Sequence, residues 1–446
     1  MKTCHYKTAT TADSQVKSGT QQHYPLSSGV NQPRWLEQRV LNRLQKALQH
    51  TRGRLHLIMP SGYQQTFGEV LEAHQHNASS EAIHVSVKLN SLRCLLRLLT
   101  GGITGWSEGY IAGEWDSPDI TALIRWALQN EAILDDLSKA SVIKQLLDNV
   151  YHWRNHNSPR GSRRNIAAHY DLGNDFYELW LDKSMSYSAA LFTNETQTEA
   201  HAKPLSLEQA QAAKYQQILQ WIQPADDDHI LEIGCGWGGF ATELLTNHNA
   251  RLHGITLSQQ QRHWAQQQLS AKHLDERADI SLTDYRDLLH QYDAVVSIEM
   301  FEAVGEQYWD TYFTTLKNCL KPGGTAVLQV ISIDEQRFDT YRKQADFIQR
   351  YIFPGGMLPS IPRLEQKFAE HGFSLQHKQL FGKDYAETLR LWRHNFTQQT
   401  DALEKLGYGE QFRRLWLYYL CYCEGGFEEG SIDVGLYHLV NENPSR

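Results

Sequence analysis

Leu231-Glu232-Ile233-Gly234-Cys235-Gly236-Trp237-Gly238-Gly239 is the stretch that decides the fold. An apolar strand over His229–Ile233 runs into glycines, and a helix opens at Phe240 and continues to Leu245. Glycines after a buried strand let the backbone approach a ligand and let the next helix start close by. The spacing Gly234-x-Gly236-x-x-Gly239 also satisfies dinucleotide sites, so the glycines alone leave a nicotinamide or flavin cofactor open. Two neighbours separate the cases. Glu232 puts a carboxylate where the amino acid end of a sulfonium cofactor would lie, directly or through water. The second strand, Arg251–Leu257, is followed by Ser258 and offers no acid to a nicotinamide ribose, whereas uncharged Thr256 and Gln261 suit the ribose hydroxyls of S-adenosylmethionine.

Outward from this loop, strands and helices alternate. A helix is expected over Gln259–Leu269, and strands over Ala278–Leu282, Asp293–Ile298 and Thr325–Ile331. Such alternation implies an α/β domain with a doubly wound, mainly parallel sheet. Toward the N-terminus the pattern changes to a smaller α+β domain over 33–150. Helical spacing marks Trp35–Leu48; strands are expected over Leu55–Met59, Tyr63–Phe67 and Ile83–Leu89. A helix over Ser91–Thr100 is expected to end at Gly101-Gly102, and Asp119–Leu128 reads as a capped helix. Residues 1–32 are polar and read as a disordered tail. Residues 151–166 read as a linker in which Arg154, Arg160, Arg163 and Arg164 form a basic cluster suited to lipid phosphates.

A chain of 446 residues is too long for one ordinary core, in agreement with two domains. The net charge of −8 argues against wholesale nucleic-acid binding. No apolar run approaches the roughly 20 residues of a membrane span, and the N-terminus lacks a signal-peptide pattern, so a cytoplasmic protein is expected. The six scattered cysteines form no zinc pattern.

The chain resembles the cyclopropane-fatty-acyl-phospholipid synthases and the related mycolic acid cyclopropane synthases from about Arg163 onward. The resemblance rests on His169-Tyr170-Asp171-Leu172-Gly173-Asn174, Met185-Ser186-Tyr187-Ser188, the glycine loop, Gly254-Ile255-Thr256-Leu257-Ser258, Asp284-Tyr285-Arg286-Asp287, Met300-Phe301-Glu302, Tyr351-Ile352-Phe353-Pro354-Gly355-Gly356 and Tyr418-Tyr419-Leu420. It implies a seven-stranded methyltransferase-type sheet over 167–446. It also implies transfer of a one-carbon unit from S-adenosylmethionine to the cis double bond of an unsaturated phospholipid acyl chain at the membrane surface. The product would be a cyclopropane, and the enzyme a peripherally bound homodimer.

By position, the resemblance assigns Tyr187, Ser188, Gly234, Gly236, Thr256, Gln261, Tyr285 and Arg286 to the cofactor, and Glu232 and Gly238 of the glycine loop are expected to join them. It assigns Ala189, Glu302, Ile331 and Tyr385 to a bicarbonate ion that serves as base. The sequence departs from the pattern here. Ala189 replaces a cysteine, Gln329 a histidine, and Ala303 another histidine; Glu299 stands where glycine is usual and Glu424 where a small residue is usual. A glutamine can donate a hydrogen bond but carries no positive charge. A carboxylate of Glu302, Glu299 or Glu424 is therefore expected to take over as base, unless Glu299 and Glu424 merely pair with arginines or backbone donors. A methyl- or methylene-branched product, and a catalytically weak lipid-binding partner subunit, are the alternatives. His169 suits orientation of Asp171 or the substrate. Trp392, Phe396, Trp416, Tyr418 and Tyr419 suit core packing or an acyl slot, and 351–358 a lid over the acyl chain.

Overall fold

A computed structural model describes residues 32–68, 82–137, 172–192 and 205–442, with backbone alone for 135–137. The tail up to residue 31, the basic segment 151–166 and His169 lie outside those residues.

The N-terminal unit comprises α1 (Trp35–Leu48), β1 (Arg54–Ile58), β2 (Gln64–Phe67), β3 (His84–Leu89), α2 (Arg93–Ile111), β4 (Trp115–Asp116), α3 (Ile120–Gln129) and α4 (Glu131–Leu137). Its sheet runs β2-β1-β3-β4, parallel only between β1 and β3. Alternating Leu55 and Leu57, and Val85 and Val87, meet Leu41 and Leu48 of α1 in the core, as period-two strands and a 3.6-period helix require. Asp119 caps α3 by accepting from Ala122 N. The expected stop at Gly101-Gly102 is only half correct. Gly102 leaves helical geometry (φ 60°, ψ −146°) and kinks α2, but helical backbone resumes and carries on to Ile111. A glycine takes that conformation at little steric cost, and Tyr110 beyond it is buried, which holds the second half in place.

The larger unit contains α5 (Asn174–Glu178), α6 (Leu207–Ile222), β5 (His229–Ile233), α7 (Gly239–Asn247), β6 (Arg251–Thr256), α8 (Gln259–Ala271), β7 (Ala278–Leu282), β8 (Tyr292–Ile298), α9 (Trp309–Asn318) and β9 (Leu320–Ile333). It continues with α10 (Glu335–Tyr341), α11 (Phe347–Tyr351), α12 (Ile361–Glu370), β10 (Phe373–Leu380), α13 (Gly382–Gln398), α14 (Thr400–Lys405), α15 (Glu410–Glu428) and β11 (Ile432–Asn441). The sheet order is β10-β11-β9-β8-β5-β6-β7. Only β10 with β11 and β11 with β9 are antiparallel, so this is the doubly wound, mainly parallel, seven-stranded sheet expected. Strand order reverses between β5 and β8, and in such sheets ligands bind beyond the carboxyl ends of the strands at that point.

The two units meet on α15. Arg414 donates to Tyr110 O at 2.5 Å, Trp115 O at 2.9 Å and Asp116 Oδ1 at 2.8 Å, and its guanidinium lies 4.0 Å from the Tyr110 ring centroid. Trp392, Phe396, Trp416 and Tyr418 are buried in the core that joins them. No helix among the described residues is long and apolar enough to cross a membrane.

Candidate active site

Beyond the carboxyl ends of β5 and β8 lies a cavity of about 590 Å³. One end is walled by the glycine loop, Thr256, Gln261 and Tyr285; the other by Tyr187, Phe353, Leu389, Tyr419 and Phe427.

The first end fits S-adenosylmethionine. Gly234 and Gly236 hold φ of 83° and 51°, a region that other residues seldom adopt, and the space that a side chain on Gly236 would enter is open. Glu232 is 3% exposed and its Oε2 has no partner. Burial pushes its carboxyl up to about 8, against the pull of the Lys214 ammonium. A buried carboxylate without a partner is costly, and a cationic ligand end would relieve that cost. Thr256 Oγ1 donates to Gln261 Oε1 at 2.8 Å, which fixes both side chains on the wall. Trp237 Nε1 donates to Asn174 Oδ1 at 2.8 Å, tying the loop to α5.

Two expected cofactor residues do not line the cavity. Gly238 caps α7 at φ 86°, and a Cβ there would stand 3.0 Å from Ala265 Cβ, so its glycine serves helix packing. Arg286 forms a two-point pair with Asp284 (Nε–Oδ1 2.8 Å, Nη2–Oδ2 2.7 Å) and stacks over Tyr285 and Tyr308. Its guanidinium is committed to its own turn.

Between the two ends sits a cluster of acids. Glu299 follows β8, and its Oε1 accepts from Ala189 N at 2.8 Å and from Gln329 Nε2 at 2.6 Å. Its Oε2 accepts from Tyr385 OH at 2.7 Å. Burial raises its carboxyl, while these three donors and the Lys214 ammonium lower it. Its φ is 49°, a left-handed conformation that costs a residue with a Cβ roughly 1–2 kcal/mol. Glu302 Oε1 accepts from Ile331 N at 2.5 Å, and its Oε2 has no partner. Burial, and then the neighbouring Glu299 charge, push Glu302 up to about 8.

The expected bicarbonate does not fit these residues. Ala189 N, Gln329 Nε2 and Tyr385 OH are all engaged by Glu299, and Ile331 N by Glu302. The site is brought together, but a carboxylate of the chain occupies it. Glu424 is a different matter. It lies away from the cavity wall, where Arg393 binds it at two points (Nε–Oε2 2.6 Å, Nη2–Oε1 2.9 Å), so it is a structural partner and not a base.

The segment 351–358 is a wall, with Phe353, Pro354, Gly356, Met357 and Leu358 on the cavity. Tyr419 reaches the cavity and bonds Tyr187 OH at 2.7 Å, unlike the other four aromatics named with it. Tyr385 and Phe427 rings lie 4.5 Å apart between centroids. Within reach of the charges of Glu299 and Glu232 is a residue that belongs to none of the sequence motifs. Lys214 on α6 is fully buried and donates to Ser188 Oγ at 2.5 Å. Burial lowers its ammonium to about 8, against the charges of Glu299, Asp182 and Glu232. Gln211, Lys214 and Ile218 share a buried face at helical spacing, and a lysine inside such a stripe is the signal that could have found it.

A sequence profile of the family described as mycolic acid cyclopropane synthetase matches residues 157–437. The chain is 37% identical over 355 residues to the tuberculostearic acid methyltransferase UfaA1 of Mycobacterium tuberculosis, covering 77% of this chain and 80% of that protein. It is 32% identical over 357 residues to the cyclopropane-fatty-acyl-phospholipid synthase of Escherichia coli, covering 77% and 84%. Among solved structures, the mycolic acid cyclopropane synthase CmaA1 complexed with SAH and CTAB superposes with a TM-score of 0.57 at 28% identity, over 62% of this chain and 98% of that one.

Proposed function

Since the chain belongs to the mycolic acid cyclopropane synthetase family and is an S-adenosylmethionine-dependent methyltransferase, we propose that it adds a one-carbon unit to the cis double bond of an unsaturated phospholipid acyl chain and ends the reaction by losing a proton. The observation that carries this reading is one cavity that joins a sulfonium-fitting end to an aromatic, apolar end across a carboxylate cluster. When bound, S-adenosylmethionine supplies an electrophilic methyl group. Glu232 holds the cofactor's cationic end, and Thr256 and Gln261 its hydroxyls. Tyr187, Tyr385, Tyr419, Phe353 and Phe427 exclude water and stabilise positive charge on the acyl chain through their ring faces. A cyclopropane is the expected product. A methyl- or methylene-branched chain is the second reading, favoured by the 37% identity to a tuberculostearic acid methyltransferase. The cyclopropane and methylene outcomes both remove a proton from the added carbon and differ in whether a hydride shifts along the chain first; a methyl branch keeps all three hydrogens.

The substrate resides in a bilayer, and α2 supplies a docking face. Leu96, Leu99 and Ile103 of that helix are 61%, 56% and 52% exposed, on either side of the kink at Gly102. Glu108 of the same helix accepts from Tyr351 OH at 2.6 Å, which sets α2 against the wall segment of the cavity. Partial burial of three such side chains in the bilayer is worth about 1 kcal/mol each, or roughly 100-fold in vesicle binding. With vesicles of dioleoyl phosphatidylglycerol, S-adenosylhomocysteine release is expected, and none with distearoyl vesicles. The variant L96S/L99S/I103S should lose most turnover on dioleoyl vesicles but keep it on the same lipid in detergent micelles. Absence of release from dioleoyl vesicles and micelles alike would contradict the function. Equal vesicle turnover by the variant would contradict the docking face.

A further inference from the structure

We propose that Glu299 is a built-in replacement for a dissociable anion, so that its carboxylate takes the proton from the transferred methyl group and the chain works without bicarbonate. This rests on the one-carbon transfer proposed above and identifies the proton acceptor within it.

Three observations carry the inference. The first is occupancy. The donors that would cradle an anion, Ala189 N, Gln329 Nε2 and Tyr385 OH, all point at the two oxygens of Glu299. A carboxylate tethered to the chain needs no association step, so a neutral Gln329 suffices where a free anion would call for a cation. The buried ammonium of Lys214 supplies the balancing charge. The second is the backbone. Glu299 sits at φ 49°, where glycine would be at ease, so this position holds its carboxylate against conformational preference. The third is valence. Each carboxylate oxygen offers about two lone-pair sites. Oε1 already accepts two hydrogen bonds; Oε2 accepts one, from Tyr385, and has one site left for a proton. Glu299 lines the cavity in which the acyl chain would lie. Glu302 is the weaker claimant. Burial and the neighbouring Glu299 charge both favour its protonated form, which is no proton acceptor.

The step balances within the site. A C–H bond of the added methyl breaks, and its electron pair forms the bond to the cationic chain carbon that closes the ring. The proton passes to Glu299 Oε2, and then to solvent as the product leaves. No oxidant or reductant is needed.

The test compares wild type, Glu299→Gly and Glu299→Gln in buffer stripped of carbon dioxide, with and without added sodium bicarbonate. Turnover is followed as S-adenosylhomocysteine release on dioleoyl vesicles. Wild type should be indifferent to bicarbonate. Glu299→Gly should lose about 10²- to 10⁴-fold without it, the usual worth of a positioned base, and recover with it, since the vacated donors then bind the ion. Glu299→Gln keeps the space filled and should be lost without rescue. A bicarbonate requirement in the wild type, full activity of Glu299→Gly in stripped buffer, or equal rescue of both variants would each overturn the inference. A melting-temperature readout separates it from the function itself. Bicarbonate should stabilise Glu299→Gly and leave the wild type unmoved, whatever the lipid substrate proves to be. Absence of that stabilisation would count against the inference even if turnover on dioleoyl vesicles is confirmed.

Discussion

Replacing Glu232 by glutamine is expected to weaken S-adenosylmethionine binding by about 10²- to 10³-fold, the range seen when one partner of a desolvated charge contact is lost. The carboxylate is 3% exposed, its Oε2 has no partner, and it stands at the end of β5 beside the glycine loop. The same residue sets a pH dependence. Without cofactor its carboxyl is pushed up to about 8. A cationic ligand favours the ionised form, so the bound-state value lies lower and a proton is released on binding between the two. Affinity therefore rises with pH until about 8 and falls as pH drops below it, by at most tenfold per unit. Lys214 also titrates near 8, which makes Glu232→Gln the necessary control. Isothermal titration from pH 6 to 8 (roughly the window in which one such proton is exchanged) should give a slope for the wild type and a flat line for the variant. A variant that binds as tightly as the wild type would remove Glu232 from the cofactor site.

The second large effect concerns stability. Replacing Arg393 by methionine leaves Glu424 buried without its partner, and breaking such a pair costs about 3–5 kcal/mol. The melting temperature should fall by on the order of 10 °C. Glu424→Gln keeps a hydrogen-bonding acceptor for Arg393 and should retain turnover at temperatures where it is folded. The double variant R393M/E424M should recover much of the stability, because well-packed apolar groups replace buried ion pairs at little cost. Loss of turnover in folded Glu424→Gln would return Glu424 to the chemistry and contradict its assignment to packing.

These two acids illustrate what a sequence can convey. Glu232 is legible because its place is local: two residues before a glycine, at the end of a strand. Strand His229–Ile233 and helix Trp35–Leu48 are legible for the same reason, since periodicity and flanking breakers are local signals. Glu424 is legible only as an added acid that either acts as base or pairs with an arginine; the choice depends on Arg393, a residue on a neighbouring helix. Glu299 is legible only as an oddity, an acid where the resembled family has glycine. That it fills the anion site requires Ala189, Gln329 and Tyr385 to converge from three separate segments. Gly238 and Arg286 sit inside motifs whose neighbours do line the cavity, yet Ala265 and Asp284 claim them. Lys214 falls outside every motif. Only the buried face of α6 reveals it.

A methyl delivered to a cis double bond should lose one hydrogen as a proton within this pocket. The most direct measurement uses S-adenosylmethionine whose methyl carries three deuterium atoms, with dioleoyl vesicles, followed by mass spectrometry of the released acyl chains. The acyl chains should gain one carbon with two of its three deuterium atoms, the third being lost to solvent. Chains of unchanged mass, or chains that keep all three deuterium atoms on the added carbon, would contradict this expectation.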